Sequence, residues 1–176
     1  TISWSSPICV NTGERTELIL ADSKFLTSYN PVSGEQLWMI ECLSGEVGPS
    51  PAYADGMVFT ANEYDKATAI KMNDPGTQPA IEIVWENRDN LPNTASPVAL
   101  EAYLLLATSG GMVSVLNTRT GEPFWEEYLG VGFYASPILV GETIYLMDLN
   151  GKMHIFTLGD NYESLATNEL GEMSSC

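Results

Sequence analysis

The sequence predicts an all-β fold, a β-propeller of four-stranded antiparallel blades, with about four blades in 176 residues. The first observation is a Ser-Pro pair followed by a short apolar strand, which recurs about every 40 to 45 residues. The pairs are Ser6-Pro7, Ser50-Pro51, Ser96-Pro97 and Ser136-Pro137. The second observation is a tryptophan near the end of each of the first three units, namely Trp38, Trp85 and Trp125. In the fourth unit the same count predicts the apolar residue Leu165 at this position. Two markers with one period divide the chain into repeats at about 5–48, 49–94, 95–134 and 135–176, which form one partial propeller domain over 1–176.

The first two units have the same order of strands and turns, but their turns are less regular in length. A turn at Gly13 to Arg15 follows the first Ser-Pro strand, and Trp38 lies on the last strand of that unit. In the second unit the turn before the last strand is stretched by an insertion over Lys71 to Ala80, so the strand that carries Trp85 begins at Ile81. We expect four strands in each unit.

The third unit shows the four strands most clearly. The predicted strands are Val98 to Leu100, Tyr103 to Thr108, Met112 to Leu116 and Phe124 to Tyr128. The turns on either side of the third strand, Ser109-Gly110-Gly111 and Asn117 to Glu122, contain glycine. The fourth unit repeats the central hairpin, and its turn contains Asn150-Gly151. This dipeptide is a strong hairpin signal because a type I′ turn requires a positive φ at both central residues. We therefore expect left-handed backbone at Asn150 and Gly151.

The strands favour a propeller over a sandwich because they are apolar on both faces. Leu104-Leu105-Leu106-Ala107 and Thr143-Ile144-Tyr145-Leu146-Met147 do not alternate cleanly between apolar and polar residues. A sheet that repeats about every 40 residues and is buried on both sides is what face-to-face blades require.

Two turns before the tryptophans carry a family resemblance. Each turn, with the strand that follows it, resembles the tryptophan-docking motif of the quinoprotein-like (PQQ-like) propeller repeats. The two segments are Asn30-Pro31-Val32-Ser33-Gly34-Glu35-Gln36-Leu37-Trp38 and Asn117-Thr118-Arg119-Thr120-Gly121-Glu122-Pro123-Phe124-Trp125. In such a motif the Asn side chain holds the turn, the glycine supplies a positive φ, and the tryptophan fills the gap to the next blade. The motif residues predicted here are Asn30, Gly34, Trp38, Trp85, Asn117, Gly121, Trp125, Asn150 and Gly151.

The order of these features is similar to that of bacterial exported PQQ-binding-like propeller proteins, which are related to the outer-membrane assembly lipoprotein propeller. The resemblance implies a periplasmic or extracellular protein that binds other proteins or carbohydrate. Quinoprotein dehydrogenases of the same fold bind pyrroloquinoline quinone (PQQ) and Ca²⁺ and commonly carry a disulfide between adjacent cysteines. This chain has no adjacent cysteines, and a hairpin suffices to explain Asp148-Leu149-Asn150-Gly151 without a calcium loop. We expect no cofactor and no metal.

The sequence offers no complete catalytic set. His154 is the only histidine and lies on a strand, where a packed or rim position is typical. Glu126 and Glu127 are adjacent on a strand and should point to opposite faces, which argues against a shared acid–base site. Tyr128, Phe133 and Tyr134 could line a binding rim, although packing between blades explains them more simply.

The charge balance restricts the partners. Seven Lys and Arg face 23 Asp and Glu, a formal net charge of −16. Such a charge disfavours nucleic acid and anionic lipid, and it leaves cations, sugars, neutral ligands and basic protein surfaces open. The simplest interpretation is that the carboxylates keep a β-rich surface soluble. No apolar stretch is long enough to predict insertion into a membrane.

Three cysteines, Cys9, Cys42 and Cys176, show no metal-binding spacing. Their odd number leaves at least one unpaired within this chain, and the apolar run around Cys9 predicts a buried, inert thiol.

Closure of the ring is the remaining question. Four blades rarely close a ring, and this family usually has about seven or eight. The chain begins with Thr1 and ends where a fifth Ser-Pro pair is due, so we expect either part of a longer chain or two copies that pair into one ring.

The leading hypothesis is a non-catalytic scaffold propeller, and the alternative is the cofactor domain of a PQQ- and Ca²⁺-dependent oxidoreductase. A polysaccharide-cleaving enzyme would need an acid–base pair that the sequence does not supply.

Overall fold

The computed structural model describes residues 3–73 and 80–174, and these residues contain sixteen β-strands in four sheets. Each sheet is an antiparallel meander of four consecutive strands, as predicted. Blade 1 comprises β1 (Ile8–Asn11), β2 (Thr16–Ala21), β3 (Phe25–Tyr29) and β4 (Gln36–Glu41). Blade 2 comprises β5 (Ala52–Ala54), β6 (Met57–Ala61), β7 (Ala67–Met72) and β8 (Ile81–Asn87). Blade 3 comprises β9 (Val98–Leu100), β10 (Tyr103–Ala107), β11 (Met112–Asn117) and β12 (Pro123–Tyr128). Blade 4 comprises β13 (Ile138–Val140), β14 (Thr143–Met147), β15 (Lys152–Thr157) and β16 (Glu163–Glu169).

The core consists of three apolar layers, each formed by two neighbouring blades. Because successive side chains of a strand point to opposite faces, the side chains of β10 form two sets that pack against different blades. Leu104 and Leu106 pack with Phe59 of blade 2, whereas Leu105 packs with Ile144 of blade 4. Blades buried on both faces explain why the strand sequences do not alternate between apolar and polar residues.

The Ser-Pro pairs link the first strands of successive blades. The backbone N–H of Ser6 donates to Oγ of Ser50 at 2.9 Å, that of Ser50 to Oγ of Ser96 at 2.9 Å, and that of Ser96 to Oγ of Ser136 at 2.9 Å. We call this series the serine ladder. Because each rung joins one blade to the next, the ladder fixes how neighbouring blades lie against each other.

Every blade has a β-bulge at the same place, between its third and fourth strands. The residue of the fourth strand paired just before the bulge is Trp38, Trp85 or Trp125 in the first three blades. In blade 4 this residue is Ala166, which pairs with Ile155. The prediction of Leu165 at this position was wrong, because the chain from Ile155 to Ala166 is one residue longer than that from Val115 to Trp125.

Two further corrections concern local backbone and exposure. Cys9 is exposed, not buried, because the neighbouring side chains of Ile8 and Val10 take the core face of β1. At the β14–β15 turn only Gly151 has a positive φ, +78°, whereas Asn150 is not left-handed. The three-residue loop Leu149–Gly151 is a type I turn closed by a left-handed glycine, not the expected type I′ turn.

Some predicted features lie outside the described residues, namely Cys176 and most of the insertion between β7 and β8. Among the described residues there is no helix long and apolar enough to cross a membrane.

Candidate functional site

A groove between blades 2 and 3 is the candidate binding site. It lies on the face of the blades that carries the turns between first and second strands and between third and fourth strands, here called the turn face. One end has a volume of about 470 Å³ and is lined by Asp55, Glu101, Ala102, Asn117 and Arg119. The adjoining end, of about 350 Å³, shares Asp55 and Arg119 and adds Gly56, Met57, Lys71, Met72 and Val84. We call the two ends together the interblade groove.

The rim of the interblade groove carries acidic side chains on tight turns. Asp55 and Glu101 occupy the first turns of blades 2 and 3 with φ of 47° and 50°, a conformation that L-residues other than glycine rarely adopt. Both side chains are exposed, so water does not have to be removed from a buried charge before a ligand can contact them. These turns therefore hold two carboxylates at the mouth of the groove.

The floor and the charges make the groove amphipathic. Met57, Met72 and Val84 supply flexible and branched apolar surface, and Val84 is 41% exposed. Arg119 and Lys71 line the groove too, and among the described residues neither forms an ion pair. Methionine-lined surfaces adapt to irregular apolar partners. The groove can thus contact an apolar side chain and a charged group of the same ligand.

A second, smaller depression lies on the turn face between blades 1 and 2. Its volume is about 110 Å³, and its lining includes Tyr53, Gly56 and Met72. Gly56 and Met72 also line the interblade groove, so blade 2 contributes residues to both depressions.

Glu17 is a buried carboxylate at the base of this depression. Its Oε2 accepts hydrogen bonds from the Ser28 hydroxyl at 2.6 Å and from Trp38 Nε1 at 2.8 Å, and its Oε1 lies 2.7 Å from Nε of Arg15. Every donor comes from blade 1. The indole of Trp38 therefore bonds within its own blade, although its ring packs with core residues of both blades 1 and 2.

The other two tryptophans contact the next blade. Trp85 Nε1 donates to the Thr118 carbonyl at 2.8 Å, and Trp125 Nε1 donates to the Gly159 carbonyl at 2.8 Å. Trp85 also lies against Gly121, which is buried beneath it. The predicted motif residues thus form turn and interblade contacts, and they do not converge on one ligand site.

Asp148 caps the β14–β15 hairpin and contacts the single histidine. Its Oδ1 accepts from the backbone N–H groups of Asn150 and Lys152, and its Oδ2 lies 3.0 Å from Nε2 of His154. Burial by itself would raise the pKa of Asp148, but these hydrogen bonds outweigh it and hold the pKa below its usual value. His154 is buried and packs edge-on against Phe133. The pair stabilises the hairpin, and both of its side chains are buried.

The remaining candidates separate into packed and exposed groups. Phe133 is fully buried, whereas Tyr128 and Tyr134 are exposed. Glu126 is exposed and Glu127 half-buried, on opposite faces of β12. Cys42 is buried, and burial raises the pKa of its thiol to about 12.

The sequence prediction missed Asp55, Glu101 and Arg119, because they come from three turns of two blades that meet only after folding. Asp55-Gly56 was the one available signal, since this dipeptide is typical of a hairpin turn.

Comparison with known proteins places these repeats in a family. A family model described as outer membrane protein assembly factor BamB matches residues 4–156. The chain belongs to this family of PQQ-like propellers. Among curated proteins, the quinoprotein ethanol dehydrogenase of Pseudomonas putida is 31% identical over 75 residues, which are 42% of this chain and 12% of that protein.

Two solved structures share the fold. BamB from Moraxella catarrhalis has a TM-score of 0.70 and 16% identity, over 98% of this chain and 53% of that one. Sqt1 from Saccharomyces cerevisiae has a TM-score of 0.76 and 13% identity, over 96% of this chain and 49% of that one. The chain therefore spans about half the length of these propellers and a much smaller part of the dehydrogenase.

Proposed function

We propose that this propeller is a non-catalytic scaffold that binds a protein segment in the interblade groove. The observation that carries the proposal is the groove itself, with an apolar floor of Met57, Met72 and Val84 beneath the carboxylates of Asp55 and Glu101. A segment matches this surface when its aliphatic side chains lie on the floor and its lysine or arginine faces Asp55 and Glu101, away from Lys71 and Arg119. The net charge of −16 favours such a partner further, because it attracts basic surfaces over a long range.

A protein partner fits the groove better than a carbohydrate. Sugar sites commonly present aromatic rings on which the sugar stacks, and the described lining of the interblade groove contains none. The acidic surface also argues against nucleic acid as the partner. The family is described as an outer membrane protein assembly factor, and on that resemblance we propose export to the bacterial periplasm or exterior.

Peptide binding tests the proposal. Fluorescence anisotropy should detect binding of peptides that combine Lys or Arg with Leu, Val or Met, and no binding of counterparts with Glu in place of the basic residues. The double variant Asp55→Asn, Glu101→Gln should weaken binding by about fivefold, the effect of losing two exposed charge pairs. Asn tolerates the left-handed backbone at position 55, so the turn should be preserved.

The matched control removes the same two charges far from the groove, with Glu163→Gln and Glu169→Gln on the exposed strand β16. Equal weakening by both double variants would mean that the peptides respond only to net charge. That result, or the absence of any binding, would contradict the proposed site.

A further inference from the structure

Two cations of the interblade groove are not used for ion pairs inside the molecule. Among the described residues three of the seven Lys and Arg form ion pairs with carboxylates, and Lys71 and Arg119 are not among them. This holds although Glu82 lies directly across from Lys71 on β8. Lys71 and Arg119 come from different blades, and both line the end of the groove that has a volume of about 350 Å³. Their charged side chains are therefore available to a ligand.

The backbone holds both cations in place. The backbone N–H of Arg119 donates to Oδ1 of Asn117 at 2.9 Å, and the carbonyl of the preceding Thr118 accepts from Nε1 of Trp85 at 2.8 Å. The turn that carries Arg119 is thus fixed to blade 2. Lys71 lies on β7, with paired strands on both sides, and on the face of the sheet that is turned toward blade 3.

The two ends of the interblade groove differ in charge. Asp55 and Arg119 line both ends, Glu101 lines only the end of about 470 Å³, and Lys71 lines only the end of about 350 Å³. The first end, here called the acidic end, therefore has two carboxylates and one cation. The second end, here called the apolar end, has two cations and one carboxylate, and the apolar floor belongs to it alone.

We propose that the apolar end binds the C-terminal residue of the partner protein, an inference that rests on the proposed function of the groove. In this arrangement the α-carboxylate lies between Lys71 and Arg119, and the aliphatic side chain of the same residue lies on the apolar floor. A basic residue earlier in the partner faces Asp55 and Glu101 at the acidic end. The charges of the groove therefore select one direction for the bound segment.

A C-terminal residue fits the apolar end better than an internal Asp or Glu. The guanidinium of Arg presents a planar fork of N–H donors that matches both oxygens of a carboxylate, and Lys adds a compact charge. In a C-terminal Leu, Val or Met the carboxylate and the aliphatic side chain are attached to one Cα, so a single residue satisfies the cations and the floor together. An internal Asp or Glu places its carboxylate at the end of its only side chain and leaves the floor to another residue. Capture of a chain terminus is a recurring mode of peptide recognition.

Peptides that differ only at the C-terminus test the proposal by fluorescence anisotropy. The net charge of −16 repels a carboxylate, so without a local site a peptide amide should bind more tightly than the free acid. Contact with two cations reverses this order, because charges in contact are screened far less than charges more than roughly 10 Å apart. A peptide with Lys one to three residues before a C-terminal Leu should bind about fivefold more tightly as the free acid than as the amide, the effect of two exposed charge pairs.

Two double variants locate the effect. Lys71→Gln with Arg119→Gln should abolish the preference for the free acid. Lys24→Gln with Lys152→Gln is the matched control and should preserve it. These two lysines also form no ion pair among the described residues, and they do not line the interblade groove. Both double variants remove two positive charges, so only the location of the lost charges differs.

The comparison of acid and amide uses the wild-type protein, so it does not depend on the folding of a variant. A preference for the acid that survives Lys71→Gln with Arg119→Gln would overturn the proposal, as would equally tight binding of an amidated peptide that ends in Glu. Equal binding of acid and amide, with both weakened by Asp55→Asn and Glu101→Gln, would also overturn it but would leave the proposed function intact. Absence of binding by either peptide would contradict the proposed function itself.

Discussion

Individual polar side chains in this protein determine the orientation of neighbouring side chains, which apolar packing alone does not determine. The carboxylate of Glu17 is 2% exposed and is surrounded by donors from Arg15, Ser28 and Trp38. A buried charge is tolerable only when such partners replace the water it loses. Glu17 therefore orients the indole of Trp38 toward its own blade, whereas Trp85 and Trp125 bond to the next one.

Replacing Glu17 by alanine should destabilise the protein strongly. Glu17→Ala leaves the buried Ser28 hydroxyl and Trp38 Nε1 without their acceptor, and we expect a loss of about 3 kcal/mol in the free energy of unfolding. Urea denaturation followed by far-UV circular dichroism measures it. Glu14→Ala, an exposed carboxylate near the same turn, is the control and should change stability by less than about 0.5 kcal/mol. Equal effects of the two substitutions would show that the Glu17 contacts contribute nothing specific.

At the scale of strands and turns, the sequence predicted what depends on neighbours along the chain. The strands of blade 3 were placed to within one residue, because their apolar runs are short and both turns that flank the third strand contain glycine. The role of the Ser-Pro pair was not predictable, since the partner of each serine lies a whole blade away. The interblade groove was missed for the same reason. The turn before β16 has one extra residue, so the position equivalent to the tryptophans is Ala166 and not Leu165. Counting a fixed repeat length along the chain cannot detect such a change in loop length.

The turns that contain Gly121 and Gly34 should respond differently to the same substitution. The indole of Trp85 covers Gly121, whereas a Cβ at Gly34 would have no heavy atom of the described residues within 4 Å. Gly121→Ala forces a methyl group into the Trp85 ring in addition to the strain at positive φ, so we expect a loss of about 2–3 kcal/mol. Gly34→Ala in the same 176-residue chain meets only the strain, about 1 kcal/mol. Thermal or urea unfolding of the two variants beside wild type measures the difference. If Gly34→Ala proved as costly as Gly121→Ala, the contact between Trp85 and Gly121 would not be what distinguishes the turns.

For the whole molecule, the arrangement of blades matters more than any single cluster of side chains. Apolar layers join blades 1 to 2, 2 to 3 and 3 to 4, and the serine ladder runs through all four. The outer face of blade 4 leaves Ile138 and Val140 about 60% exposed on its first strand. An interior blade buries this face, so blade 4 is an end of the described four-blade array.

The identity to a quinoprotein dehydrogenase over 75 residues raises the alternative of a PQQ- and Ca²⁺-dependent oxidoreductase. Within residues 3–73 and 80–174 no three carboxylate, histidine or cysteine side chains come together as a metal site would require. The carboxylate of Asp148 already forms hydrogen bonds with its own hairpin and with His154. We therefore propose that the chain binds neither ligand specifically.

Thermal melting with added ligands tests this. The net charge of −16 attracts any divalent cation, so Ca²⁺ should raise the Tm by screening carboxylate repulsion. An equal concentration of Mg²⁺ should raise it by the same amount, because screening depends on charge and not on a built coordination site. Adding PQQ to the Ca²⁺ sample should change nothing further, since only a ligand that binds the folded state shifts its unfolding. A larger effect of Ca²⁺ than of Mg²⁺, with a further rise on adding PQQ and dye-linked oxidation of an alcohol, would instead establish the oxidoreductase.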